Sequence, residues 1–391
     1  MKIIYIPGVA EKYGASESFR EMVVTLKEKY EVEPIVLTSK KDKIYEFAKK
    51  NKIEVYAIHY KEVFYQKSDC KIKNTIKKVV KKIKEIENYI EENNDINKLK
   101  KIIDLRQVDI IHSNIERVDI GALISKKYNI PHIMHLREFA DKDYDVYPIY
   151  EKKYMKIINK YTQVFIAISD VIKDHWSKKG IENEKIIRVY NGINNKKFVS
   201  KSKFDDGYIH IIFSGSLWPT KGQMEAVKAI RQLPSTIKDK IKLDIYGDGN
   251  KEYIQKIKEY IKENQLENII KMKGYNSEIF KVIGKYDIGI MCSKSEAFGR
   301  TTAEYMNAGL CVIASNGGAN SELIKNNVTG LTYKHGDTRD LANKIKYAIE
   351  NKEEREKLSR NAMEYASNNF TSEINAKNIF NIYKEIMKEK E

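Results

Sequence analysis

Cysteine is scarce in this chain. Three residues in 391, Cys70, Cys292 and Cys311, lie far apart and form no disulfide framework or zinc-ligand spacing. Such usage fits a protein that works in a reducing cytoplasm, where the sequons at Asn327 and Asn369 carry little meaning. No apolar run approaches the roughly 18 residues of a membrane span. Internal repeats and low-complexity tracts are also missing, as are a nucleic-acid-binding module and a face of basic residues interleaved with aromatics. The net charge of +16 would alone admit nucleic acid, an anionic membrane or an anionic substrate. Without such a module or face, nucleic acid is not an expected partner, and part of the excess follows from a Lys-, Ile- and Asn-rich composition.

What is present is ordinary for a soluble globular chain: 42% hydrophobic and 32% charged residues, in a length that suggests about two domains. Short β runs alternate with helical stretches throughout, which predicts an α/β protein with parallel sheets. Met1 to Gly8 reads as a first strand turned by Pro7-Gly8 rather than as a signal peptide. Val9 to Ser18 reads as a loop containing Gly14-Ala15-Ser16, with a helix from about Glu17 to Lys29. Further strands are expected at Val32–Leu37, Ile53–Ile58, Val108–Ser113 and Val164–Ile168. Between them, Ile72, Ile76, Val79, Val80, Ile83 and Ile86 form a helical stripe, and seven lysines occupy the other faces of Lys71–Lys84. This helix suits either an anionic membrane surface or docking on a sheet with its lysines in solvent. The polar stretch Asn194–Gly207 reads as a linker and places a domain boundary near 195.

Met291 to Glu322 is the most informative stretch. An apolar strand, Tyr286–Met291, runs into a small-residue loop with Glu296, then Phe298-Gly299-Arg300 and a helix from Thr301 or Thr302. Gly299 permits close approach of a ligand to the backbone, and the free N–H groups of the next turn make an anion site. Glu296 and Glu304, eight positions apart, bracket it. That suits a ligand with a diphosphate between two hydroxyl-rich rings. Thr301 to Glu304 also fits a capping box, in which Glu304 only returns a hydrogen bond to the helix start. Glu296 has no such structural duty.

Glu296, seven residues, Glu304, with Phe298-Gly299 after the first and Gly309-Leu310-Cys311-Val312-Ile313-Ala314-Ser315 after the second, resembles the signature of retaining glycosyltransferases of family four. The resemblance implies the GT-B fold: two Rossmann-like domains with parallel sheets facing each other across a cleft. Residues 1–195 would bind the acceptor and 196–369 the nucleotide sugar, with a terminal helix at about 370–391 returning to the first domain. Pro131 to Phe139 resembles the family's His-plus-acid segment. It casts His135 as a catalytic group facing the sugar and Arg137 and Glu138 as sugar or acceptor contacts, while His112 would support the loop. On the donor side the resemblance implicates Gly14, Ser216, Lys221, Gly247, Phe298, Gly299, Arg300, Thr301 and Glu304, with Glu296 catalytic. Ser216 stands where family members commonly carry an arginine that grips the diphosphate, and Asn194 where they carry an aspartate.

The reaction implied is transfer of a sugar from a nucleotide donor, with UDP favoured, to a glycan or lipid-linked hydroxyl in bacterial surface-polysaccharide synthesis. Lys221, Arg300 and the backbone at Gly299 would stabilise the departing diphosphate, and Glu296 the developing charge on the sugar. No Asp-x-Asp-like metal pair is apparent, so neither a metal nor a cofactor is expected. Cytoplasmic work on the inner face of the membrane follows from the same resemblance. Two alternatives stay open: a sugar-nucleotide epimerase or phosphorylase of the same fold, and a non-catalytic protein that binds nucleotide sugar or nucleic acid.

Overall fold

The structure is a computed structural model that describes residues 1–9, 13–67, 94–194, 198 and 204–389. The chain divides into two compact units, Met1–Gly192 with Ser372–Glu391, and Ile193–Thr371.

In the first unit, seven parallel strands run β1 (Lys2–Ile6), β2 (Glu33–Thr38), β3 (Glu54–Ala57), β5 (Ile110–Ser113), β6 (His132–Leu136), β8 (Val164–Ala167) and β9 (Ile186–Arg188). Their order across the sheet is β3-β2-β1-β5-β6-β8-β9. Two short strands apart from this sheet, β4 (Phe64–Gln66) and β7 (Val146–Pro148), pair antiparallel. Strand alternation shows directly in β1. Ile3 and Tyr5 join one buried cluster and Ile4 and Ile6 another, so both faces of the sheet are covered. The first of those faces is packed by α1 (Tyr13–Tyr30), through Phe19, Met22, Val23 and Leu26. A second helix, α2 (Asp170–Lys178), follows β8 and starts on a Ser169 cap.

The second unit is a six-stranded parallel sheet of β10 (Ile209–Ser214), β11 (Ile241–Tyr246), β12 (Ile270–Gly274), β13 (Ile288–Met291), β14 (Cys311–Ser315) and β15 (Leu331–Tyr333). The order is β12-β11-β10-β13-β14-β15. Its site-bearing helices are α3 (Gln223–Gln232), α4 (Arg300–Asn307) and α5 (Asn320–Leu323). Cys292 and Cys311 are buried in its core. The chain then re-enters the first unit as α6 (Ser372–Lys388), whose Ile379, Ile382, Tyr383 and Ile386 share the cluster of α1 and β1. Burial of each such side chain contributes about 1.5–3 kcal/mol.

Strand order reverses between β1 and β5 in one sheet and between β10 and β13 in the other. Parallel sheets collect ligands at the carboxyl ends of strands at such reversals. One expectation changes: α1 begins at Tyr13, so Gly14 sits in its first turn rather than in a loop. Small residues are well tolerated in a first helical turn, where the backbone N–H groups need no helical partner. The lysine-rich stripe of Lys71–Lys84 lies outside the described residues.

Candidate active site

In the second unit the loop after β13 carries Glu296, and Gly299 caps α4 in a left-handed conformation with φ of 83°. A Cβ at Gly299 would lie 2.9 Å from Asn320 Oδ1, in a backbone region that L side chains rarely adopt. Gly299 brings no side chain to cap α4, whose first residues are Arg300 and Thr301. The helix is capped at Gly299, two residues before Thr301, so Thr301 to Glu304 does not frame its start as a capping box would; Glu304 Oε1 accepts from Arg300 Nε at 2.9 Å.

Glu296 is held from two sides. Lys221, closing the short 3-10 turn Pro219–Lys221 ahead of α3, donates from Nζ to Glu296 Oε1 at 2.7 Å. The Lys294 N–H donates to the Thr220 carbonyl at 3.0 Å, tying the two loops together. From the other side the Ala319 N–H donates to the Glu296 carbonyl at 2.8 Å. Gly318 makes that approach possible, because a Cβ there would overlap the Glu296 backbone. The Glu296 side chain is 12% exposed and that of Lys221 32%, so the ion pair is half-sheltered rather than solvated. Ser216 is exposed at the end of β10, while Gly247 ends β11, where a Cβ would strike the Gly215 carbonyl. Phe298 is buried edge-on against Phe370, which leaves its backbone as the part a ligand would meet. Glu296, Lys221, Gly299, Arg300, Thr301 and Glu304 thus gather at one sheet end.

The first unit holds His135, Arg137 and Glu138 around the end of β6. Arg137 is buried and spent on its own unit: Nε donates to Asn114 Oδ1 at 2.8 Å and Nη1 to Asn191 Oδ1 at 2.6 Å. Its backbone N–H donates to Glu116 Oε2 at 2.9 Å. Glu138 is also buried, with Oε1 2.7 Å from Arg117 Nε, and its carbonyl accepts from Trp176 of α2. Burial, with the Glu138 carboxylate adding to it, pushes the Glu116 carboxyl well above its usual range. Gly14, in the first turn of α1, has open space where a Cβ would stand.

His135 differs from these neighbours. Its Nδ1 lies 2.7 Å from His112 Nε2, with the two rings stacked at 4.8 Å. His112 Nδ1 in turn lies 2.5 Å from the Tyr383 hydroxyl, which is 3.2 Å from that of Tyr5. Burial, reinforced by the Arg137 guanidinium, holds both imidazoles well below the ordinary histidine range, so both are neutral. His135 Nε2 is buried and has no partner among the described residues. His112 therefore does more than support a loop, and Tyr5 and Tyr383 join it. In sequence, the available signal was the shared sheet face: Tyr5 pairs with His112 across β1 and β5, and His112 with Ile133, two residues before His135.

Two overlapping Asp-x-Asp spacings do occur in the chain, in Asp141-Lys142-Asp143-Tyr144-Asp145. Asp141 is taken by Lys179 at 2.6 Å, and Asp143 accepts from the Phe139 N–H. Among the described residues no group of three His, Cys, Asp or Glu is placed to hold a metal ion. No described helix is long and apolar enough to cross a membrane.

Two α/β units with parallel sheets, each with polar side chains at its strand-order reversal, define a protein of the double-Rossmann kind, and family models make it a sugar-transferring enzyme. Residues 20–197 match Glycosyltransferase Family 4 and residues 194–365 match Glycosyl transferases group 1. The chain belongs to the family-four type of glycosyltransferases. An uncharacterised glycosyltransferase of Methanocaldococcus jannaschii is 28% identical over 291 residues, 73% of this chain and 78% of the relative. The UDP-Gal:alpha-D-GlcNAc-diphosphoundecaprenol alpha-1,3-galactosyltransferase of Escherichia coli is 23% identical over 271 residues, 63% of this chain and 68% of its own. Among solved structures, Anabaena HepE in complex with UDP superposes with a TM-score of 0.77 at 19% identity, covering 98% of this chain and 100% of that one. The fold is the one expected from sequence.

Proposed function

We propose that this glycosyltransferase moves a sugar from a UDP-linked donor to a glycan or lipid-linked hydroxyl, with retained anomeric configuration and no metal, in bacterial surface-polysaccharide synthesis. The observation that carries the reading is the Lys221–Glu296 contact at 2.7 Å beside the glycine-capped start of α4. A carboxylate and an ammonium held together next to a helix N-terminus suit a ligand with a cationic sugar transition state and an anionic leaving group. The bond from the anomeric carbon to the diphosphate oxygen breaks with its electrons going to the diphosphate. The acceptor oxygen bonds to the same face of that carbon, and its proton passes to an oxygen of the leaving phosphate. Lys221, Arg300 and the N–H groups after Gly299 stabilise the diphosphate. Glu296 holds the sugar hydroxyls and the developing positive charge, Glu304 the ribose, and His135 is the catalytic group that the first unit supplies.

The donor class is supported by the UDP named with the Anabaena structure, and the acceptor class by the diphosphoundecaprenol named for the Escherichia coli relative. The enzyme works in the cytoplasm, with Lys71–Lys84 as the element that meets the anionic inner face of the membrane. A thermal-shift panel of UDP, GDP and ADP with their sugars tests the donor: a ligand at 100 times its Kd adds about 2.7 kcal/mol of stability. The expected result is a shift with UDP compounds alone, lost in Lys221→Ala. A shift with GDP or ADP alone, or no shift at all, overturns the donor assignment. Proton NMR of the transferred product reads the anomeric configuration, and inversion would remove the retaining assignment.

A further inference from the structure

The hydrogen-bond chain behind His135 has a direction, and the direction follows from counting protons. Tyr5, Tyr383, His112 and His135 are all fully buried. With both rings neutral, one nitrogen of each carries hydrogen, which leaves two self-consistent arrangements. In the first, the Tyr5 hydroxyl donates to Tyr383, the Tyr383 hydroxyl to His112 Nδ1, and His112 Nε2–H to His135 Nδ1. His135 then carries its proton on Nε2, facing outward from the chain. In the second, every bond is reversed and His135 Nε2 is bare. The Tyr5 hydroxyl proton then has no acceptor among the described residues, since Tyr383 is the only polar partner of that hydroxyl there. His135 Nε2 is unpaired in both arrangements, so the first strands one buried group and the second strands two.

We infer that Tyr383 and His112 are positioning residues that fix His135 as its Nε2–H tautomer, with Tyr5 only extending the chain, so that the ring meets an oxygen of its ligand as a donor rather than accepting a proton. The donor role rests on the proposed placement of His135 at the transferred sugar; the tautomer does not. Residues from two strands and the returning helix α6 thus set the polarity of one buried atom. The device explains why a hydroxyl from residue 383 reaches into the sheet of the first unit, 2.5 Å from a histidine that touches no ligand in this scheme.

Two variants separate this from packing. Tyr383→Phe leaves one His112 ring nitrogen unpaired in either arrangement, so the bias disappears and the tautomers mix. Tyr5→Phe keeps the bias, because reversal would now strand the Tyr383 proton instead. Both remove one buried hydroxyl, so a purely structural role would move them alike. In protein labelled with nitrogen-15 histidine, protonated and bare ring nitrogens resonate far apart, and the His135 signals are those lost in His135→Ala. The expected wild-type spectrum has His135 Nε2 protonated and Nδ1 bare, retained in Tyr5→Phe and mixed in Tyr383→Phe. Transfer by Tyr383→Phe should fall about fivefold in kcat with donor KM within about twofold, while Tyr5→Phe stays within about twofold in both. A wild-type spectrum with Nδ1 protonated overturns the relay, and that measurement needs no variant to fold. Equal effects of the two Tyr variants overturn it as well. Full transfer by His135→Ala removes His135 from the site and the donor role with it, leaving the tautomer to be judged from the spectrum alone.

Discussion

The polar groups of the two units are built on opposite principles. In the first unit one chain, from Tyr5 to His135, is buried, neutral and joined by hydrogen bonds, beside the charged Arg137 and Glu138. In the second they are charged and half-sheltered, with Lys221 on Glu296 and Arg300 on Glu304. A neutral chain fixes the direction of a single donor. A pair of ions keeps its charge available for a ligand that separates charge as it reacts. Sheltering strengthens both, since water competes less for each contact.

The sharpest way to break the contrast is Glu296→Ala, which leaves Lys221 without its carboxylate. Transfer should fall by about 10²–10³, or roughly 3–4 kcal/mol of transition-state stabilisation, read as kcat/KM against a donor identified in the binding panel. Unchanged transfer would move the reaction away from this loop. Next comes acidification, which should act on the first unit through its buried histidines. His112, His132 and His135 are all held below the ordinary histidine range by burial, His132 down to about 3. Their folded values lie under the unfolded value near 6.5, so the unfolded chain takes up protons first. Stability is whole above that pH and is lost as pH falls below it, by about 1.4 kcal/mol per unit for each histidine. The raised Glu116 carboxyl works the other way, favouring the folded state most at low pH. Denaturant midpoints between pH 7 and 5 check the net fall, and His132→Gln should make it shallower.

Gly318→Ala sharpens the comparison on backbone geometry. Its φ is 61° and the added methyl overlaps the Glu296 backbone, so a loss of about 1–3 kcal/mol is expected by thermal unfolding. The loss in transfer should exceed the loss in folded protein at assay temperature. Smallest is Ser216→Arg, which adds a guanidinium at an exposed position on the diphosphate side. Nucleotide affinity should rise two- to fivefold, within the 0.2–1 kcal/mol of an exposed charge contact, and titration calorimetry at low salt would resolve it.

The alternation of apolar runs with helical stretches was enough to read two parallel-sheet units, because buried parallel strands are near-continuous runs of Val, Ile and Leu. The donor-side residues were legible for a related reason: most lie within one stretch, strand to loop to helix, from Ile288 to Asn307. The chain behind His135 was not. Tyr5 and Tyr383 are 378 positions apart, and each sits in an apolar pattern that conceals its hydroxyl. The resemblance casts Arg137 and Glu138 as sugar or acceptor contacts, and their side chains also make buried bonds within the first unit that the local sequence does not announce. Local sequence does not reveal which partner a charge will find. The β4–β7 pair escaped notice because its strands are three residues long and one ends in Pro148.

The return of α6 also has a consequence for synthesis on the ribosome. The apolar face formed by Tyr5, Met22 and Val23 waits for Ile379, Ile382 and Ile386, which emerge only after the whole second unit. At roughly 5–20 residues per second that interval is on the order of ten seconds or more. The nascent first unit therefore exposes an apolar surface throughout, the kind of surface that chaperones capture.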